Sequence, residues 1–288
     1  MQKTITIAHS PDADDIFMYY AIKFGWVNPQ GVKFQNIALD IETLNQKAFE
    51  GAYDISAISF GAYPYIKDDY ALLSTAVSFG DGYGPKLIKL KEKKLKKNFK
   101  VALSGEFTTN AMLFRIYYPE AKVVYKNFLD IEAAVLNGEV DAGVLIHESI
   151  LNFNEKLEVE KEIWDIWQEL SGGGLPLPLG GMALRRSIPI TKAIHYEDTL
   201  IKAVAVANKN RKSLASMLLE RDLVRIDANE LNQYLDLYAN DDSITLSPLQ
   251  YEALDKLFEI GFAHGVYDMP LTTNDYTIAR EYQGLRYS

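Results

Sequence analysis

The run Asp141-Ala142-Gly143-Val144-Leu145-Ile146-His147-Glu148 ends an apolar stretch directly on an imidazole. A strand ending this way sets a group that titrates near neutrality at its carboxyl end, where open α/β sheets gather their ligand chemistry. Such a group takes up and returns protons without large tuning, so His147 is the candidate general base. Three further strand ends carry small polar residues: Ser10 with Asp14 in His9-Ser10-Pro11-Asp12-Ala13-Asp14, then Ala57-Ile58-Ser59, then Ser104-Gly105-Glu106-Phe107-Thr108-Thr109-Asn110. Asp14 and Thr108 are also good helix N-caps, and capping and ligand contact are compatible. At Thr108-Thr109-Asn110 a glycine turn leads into a helix whose first N–H groups and positive dipole end attract a carboxylate. Of the other histidines, His9 is the second candidate, and His195 and His264 fall in surface or packing patterns.

Several chemistries are excluded by type or spacing. The chain has no cysteine, which removes thiolate nucleophiles, disulfides and Cys-ligated zinc. Gly172-Gly173-Gly174 lacks the lysine and hydroxyl of a phosphate loop, and no Gly-x-Gly-x-x-Gly follows a strand. No His-x-x-x-His or Glu-x-x-His pair seeds a metal site, so neither metal nor cofactor is expected. A net charge of −9 argues against a nucleic-acid surface, and the basic run Lys89–Lys100 reads as a solvated linker face. With 18 tyrosines and 13 phenylalanines the chain has aromatic rings to spare for stacking on a planar ligand. No apolar stretch reaches the ~20 residues of a membrane span, and no apolar leader follows Lys3, so a cytoplasmic protein without membrane partners is expected.

The elements that must position these residues alternate. Strand-like Thr4–Ala8, Asp54–Ile58, Val101–Leu103 and Val140–Ile146 are followed by helical Asp14–Phe24, Tyr63–Lys67, Thr109–Tyr118 and Ser149–Phe153, the pattern of parallel sheets covered by helices. The charge run interrupts this rhythm, and the glycine- and proline-rich segment Gly172–Gly181 leads into an extended Met182–Arg185. Beyond Ile190 the chain becomes helical, with 3.6-residue apolar spacing in Thr199–Leu219, Ala228–Tyr238 and Pro248–His264. The expectation is a two-lobed α/β clamshell with a helical C-terminal part. Residues 1–97 plus 187–288 form one lobe and residues 98–186 the other, with crossings near 86–98 and 175–186 and a ligand cleft between.

In Ser10-Pro11-Asp12-Ala13-Asp14-Asp15-Ile16-Phe17, in Asp141–Glu148 and in Pro176-Leu177-Pro178-Leu179-Gly180-Gly181 the chain resembles the 1,4-dihydroxy-6-naphthoate synthases of the futalosine route to menaquinone, over nearly its whole length. The resemblance implies a type II periplasmic-binding-protein-like fold. It also implies a cofactor-free lyase that converts cyclic dehypoxanthine futalosine to the dihydroxynaphthoate and releases dihydroxyacetone. By the same resemblance the proton acceptor falls on His147, and the contacts to an aromatic carboxylate fall on Ala57–Ser59 and Thr108-Thr109. Many members carry cysteine and asparagine in the N-terminal loop where this chain reads Asp12-Ala13-Asp14. Two alternatives stand beside this reading: a chorismate dehydratase of the same pathway, disfavoured by the Ile-His-Glu strand end, and a non-catalytic solute receptor, disfavoured by the absence of an export signal. Sequence leaves the oligomeric state open.

Overall fold

The computed structural model describes residues 3–11, 13–29, 31–224, 226–238 and 241–280. The chain first lays down β1 (Lys3–His9), α1 (Ala13–Lys23), β2 (Val32–Ala38), α2 (Ile41–Phe49), β3 (Ile55–Ser59), α3 (Tyr63–Ile66), β4 (Tyr70–Leu72) and β5 (Ser78–Gly80). β1 pairs in parallel with both β2 and β3, so their carboxyl ends share one edge. Every residue of β3 is buried, because helices cover both faces of the sheet.

A second sheet follows: β6 (Lys86–Leu90), β7 (Lys100–Leu103), α4 (Thr109–Tyr117), β8 (Lys122–Tyr125), α5 (Ile131–Leu136), β9 (Ala142–Leu145), β10 (Leu157–Glu162) and α6 (Ile163–Ser171). Its strand order is β10-β6-β9-β7-β8. The chain then returns as β11 (Leu177–Arg185), which enters the first sheet antiparallel to β3 on one side and to β4 and β5 on the other. α7 (Ile190–Lys209), α8 (Arg211–Glu220), α9 (Ala228–Tyr238) and α10 (Pro248–Ala263) complete the helical layer, with α7 and α9 packed on α1.

Sheet membership moves both expected boundaries. Lys86–Leu90, read as part of a crossing, is a strand paired with β9 and β10, so the first crossing lies at residues 81–85 rather than 86–98. Lys89 is not on a solvated face: it is buried, and its ammonium bonds Glu158 at 2.7 Å on the adjacent strand and lies 3.4 Å from Glu160. The return crossing lies at residues 172–176, because Leu177–Arg185 already belongs to the first sheet. The lobes by sheet are therefore 3–80 with 177–280, and 86–171. The helix expected over Thr199–Leu219 begins at Ile190 and is broken at Asn210, whose N–H bonds the carbonyls of Val206 and Ala207.

Candidate active site

His147 follows β9 at the start of a 3₁₀ turn (His147–Ile150), and its φ of +53° lies in the left-handed region that non-glycine residues seldom occupy. Strain of that kind persists where the surrounding structure fixes it, and it concentrates at functional sites. The half-buried ring stands edge-on to Phe128, centroids 5.1 Å apart at 74°, which holds it over the strand end.

A cavity lies between the lobes, partly open to solvent. Ser10, Ala57, Ile58 and Ser59 line it from the first lobe. Thr108, Thr109, Asn110 and His147 line it from the second. The Asp14 side chain lies outside the described residues, although its backbone sits in α1. His195 and His264 are exposed, whereas His9 is buried with Nδ1 2.5 Å from the Ser10 carbonyl and its ring tilted against Tyr19.

Hydrogen-bond direction separates the polar residues. Asn45, fully buried on α2, accepts the Ser59 N–H at 2.8 Å through Oδ1 and donates through Nδ2 to Ser59 Oγ at 3.1 Å. With that lone pair taken by a donor, the Ser59 hydroxyl keeps its own proton to offer elsewhere. Thr108 caps α4 by accepting the Ala111 N–H, and its hydroxyl donates to Asn110 Oδ1 at 2.9 Å. That turns the Asn110 amide so that Nδ2, with two protons, is its unengaged end among the described residues. Thr109 Oγ1 accepts from the Gly61 N–H at 2.9 Å and donates to the Leu179 carbonyl at 2.7 Å, both on the opposite lobe. Neither threonine hydroxyl therefore has a proton left to offer into the cavity. The donors among these residues are the Ser59 hydroxyl, Asn110 Nδ2 and the N–H groups of Thr109 and Asn110, which precede the first intrahelical donor, the Met112 N–H bonded to the Thr108 carbonyl.

Sequence reading missed other walls of the cavity. Ser78 opens the short strand β5, and Asn208, Tyr234 and Tyr238 come from α7 and α9 of the helical C-terminal part. The spacing of Val204, Ala207 and Asn208, and of Tyr234 and Tyr238, marks a shared helical face without saying what it meets. The result is a cavity whose lining combines polar groups of Ser59 and the start of α4 with the apolar and aromatic side chains of Phe17, Met18 and Tyr234. Among the described residues no three His, Asp or Glu side chains gather as a metal ion requires.

The family model described as "Menaquinone biosynthesis" matches residues 5–263. The chain belongs to this family. Within it, the chain is 28% identical over 270 residues to the 1,4-dihydroxy-6-naphthoate synthase of Streptomyces coelicolor, covering 91% of this chain and 94% of the relative. The synthase of Thermus thermophilus is likewise 28% identical over 270 residues, with 92% and 96% covered. A solved protein of Archaeoglobus fulgidus superposes with a TM-score of 0.85 at 34% identity, covering 91% of this chain and 98% of its own. The periplasmic aliphatic sulphonate binding protein of Escherichia coli superposes at 0.65 with 11% identity, covering 96% and 92%, which places the family member in the periplasmic-binding-protein-like fold. Its named relatives are enzymes of menaquinone biosynthesis, and among its described residues no helix is long and apolar enough to cross a membrane.

Proposed function

We propose that the chain is a lyase that converts cyclic dehypoxanthine futalosine to 1,4-dihydroxy-6-naphthoate and releases dihydroxyacetone, with His147 as the general base. The observation that carries this reading is the pairing across one cavity of an imidazole at the end of β9 with outward-directed donors from both lobes. The aromatic carboxylate binds with its acid toward Ser59 and the start of α4, and its ring system extends toward Phe17 and Tyr234. His147 removes a proton to begin carbon–carbon cleavage, and aromatisation of the second ring drives the reaction forward. General-base placement of this kind is worth roughly 10²–10⁴ in rate. The names of the two synthase relatives support the same reaction. Incubation with cyclic dehypoxanthine futalosine, and separately with chorismate, tests it: naphthoate and dihydroxyacetone from the first and no turnover of the second are expected. Turnover of chorismate alone, or of neither compound, refutes it.

A further inference from the structure

Glu42 lies in the first turn of α2, a position where a carboxylate ordinarily serves its own helix. That helix is already capped: Asp40 accepts the Thr43 N–H at 3.1 Å and the Thr43 hydroxyl at 2.5 Å. Glu42 instead reaches across to the other lobe, where Oε2 accepts the Phe107 N–H at 3.1 Å, with the Glu106 backbone as a further donor. Gln46, one turn on, donates to Oε1 at 3.1 Å and fixes the carboxylate. The fit is tight, since a Cβ at Gly105 would stand 2.2 Å from Glu42 Oε2 and 2.6 Å from its Cβ, so the loop can approach only with glycine there. An apolar contact reinforces the polar one: the Phe107 ring packs edge-to-face on Phe49 at 4.7 Å and near Tyr65 at 5.9 Å, both in the first lobe. The gripped segment, residues 104–107, runs directly into Thr108 and Asn110.

We propose that Glu42 is a cross-cleft clasp: by holding the 104–107 loop it favours the closed arrangement of the lobes through protein contacts alone, and it positions the Asn110 amide and the start of α4 over the cavity. Burial raises the Glu42 carboxyl pKa, and the backbone donors oppose that rise. The carboxylate thus gives up water on closing and receives lobe-two N–H groups in return. Parting the lobes removes these partners and returns the group to solvent. Glu42 touches no reacting atom in this scheme and is a positioning residue; the ligand-affinity part of the inference rests on the proposed reaction, whereas closure does not.

Amide hydrogen exchange and small-angle scattering on the ligand-free chain test the clasp directly. In Glu42→Ala, protection of the Phe107 amide should fall at least about tenfold and the radius of gyration should rise, while the amides of Val101–Leu103 in β7 keep their protection. Glu42→Gln, whose amide oxygen still accepts one N–H, should lie between parent and alanine variant. If Glu42→Ala does not fold, Gly105→Ser displaces the same contact from the other lobe and should give the same pattern. Affinity for 1,4-dihydroxy-6-naphthoate should drop about tenfold or more in Glu42→Ala, with turnover at saturating substrate within about threefold of the parent. Unchanged Phe107 exchange in a folded variant overturns the clasp. So does lost protection without a change in radius, which would make Glu42 a local cap. If the parent fails to bind the naphthoate, the proposed reaction falls, and exchange and scattering still judge the clasp.

Discussion

Asn45→Asp changes one atom type at a fully buried position and should invert the Ser59 hydroxyl. In the parent, Asn45 Nδ2 donates to Ser59 Oγ at 3.1 Å, which leaves the hydroxyl proton directed outward as a donor to an anionic ligand. A carboxylate in place of the amide can only accept, so the Ser59 proton turns inward to it and a lone pair faces the cavity. The ligand loses one charge-assisted hydrogen bond, worth about 1.5–3 kcal/mol, which is roughly a 10- to 150-fold loss of affinity at about 1.4 kcal/mol per tenfold. Repulsion between the new carboxylate and the ligand acid has the same sign. Titration of the variant with 1,4-dihydroxy-6-naphthoate and with its descarboxy analogue reads the effect: the acid should lose at least tenfold more affinity than the neutral compound. Asn45→Ala frees the hydroxyl to rotate without reversing it and should show a smaller difference. Equal losses for both ligands, with the thermal midpoint recording how far the fold tolerates the charge, would mean that Ser59 does not face the acid.

His147→Asn should lower kcat by about 10²–10⁴ while naphthoate affinity stays within a few-fold, because asparagine tolerates the left-handed φ of +53° and only the base is lost; a kcat near the parent value would make the imidazole structural. Thr109→Val orphans the Gly61 N–H and the Leu179 carbonyl, at about 1–3 kcal/mol each, and should weaken the acid and its descarboxy analogue alike, whereas Thr109→Ser should not; selective loss of the acid would return this hydroxyl to the ligand. Asp141 is held below the ordinary carboxylate range by the Lys100 N–H and then by the Lys93 ammonium, so its contribution is present above the unfolded value of about 3.9 and is lost as pH falls through the lower folded one. Asp141→Asn should therefore flatten the acid limb of the stability curve, read by urea unfolding between pH 2 and 6, and an unaltered limb would refute the assignment. Dialysis against a strong chelator should leave turnover unchanged, and a loss restored by one divalent ion would overturn the metal-free reading.

What was legible in the sequence was whatever depends on local pattern. Thr108 announced its helix by cap chemistry, and β3 and β9 announced themselves as apolar runs ending on Ser59 and His147. β6 was hidden because Lys86 and Lys89 make it look solvated, and the pairing of Lys89 with Glu158 is a long-range fact about β10. Asn45, Glu42 and the cross-lobe bonds of Thr109 were illegible for the same reason: each acts on a partner across a lobe or between elements, and residue spacing along one helix records only which face a residue occupies. The Thr108 and Thr109 hydroxyls spend their protons inside the protein, on Asn110 Oδ1 and on the Leu179 carbonyl, and the direction of a hydroxyl proton depends on long-range partners that residue spacing does not record.

The late entry of β11 into the first sheet sets the order in which the two sheets can be completed during synthesis. β4 and β5 pair only with β11 among the named strands, so residues up to 80 leave the ribosome without the strand that joins them to β3. Residues 86–171, by contrast, hold all five strands of the second sheet in one continuous stretch and can fold as a unit during synthesis. Synthesis thus completes the sequence of the inserted lobe before that of the lobe that contains it, and the chain leaves the second sheet where β11 must dock. Until then β3 has an open edge beside unpaired β4 and β5, the kind of surface that recruits another chain. Substitutions that slow folding of the second lobe should accordingly lower soluble yield through aggregation of the first, although they touch neither its core nor the cavity.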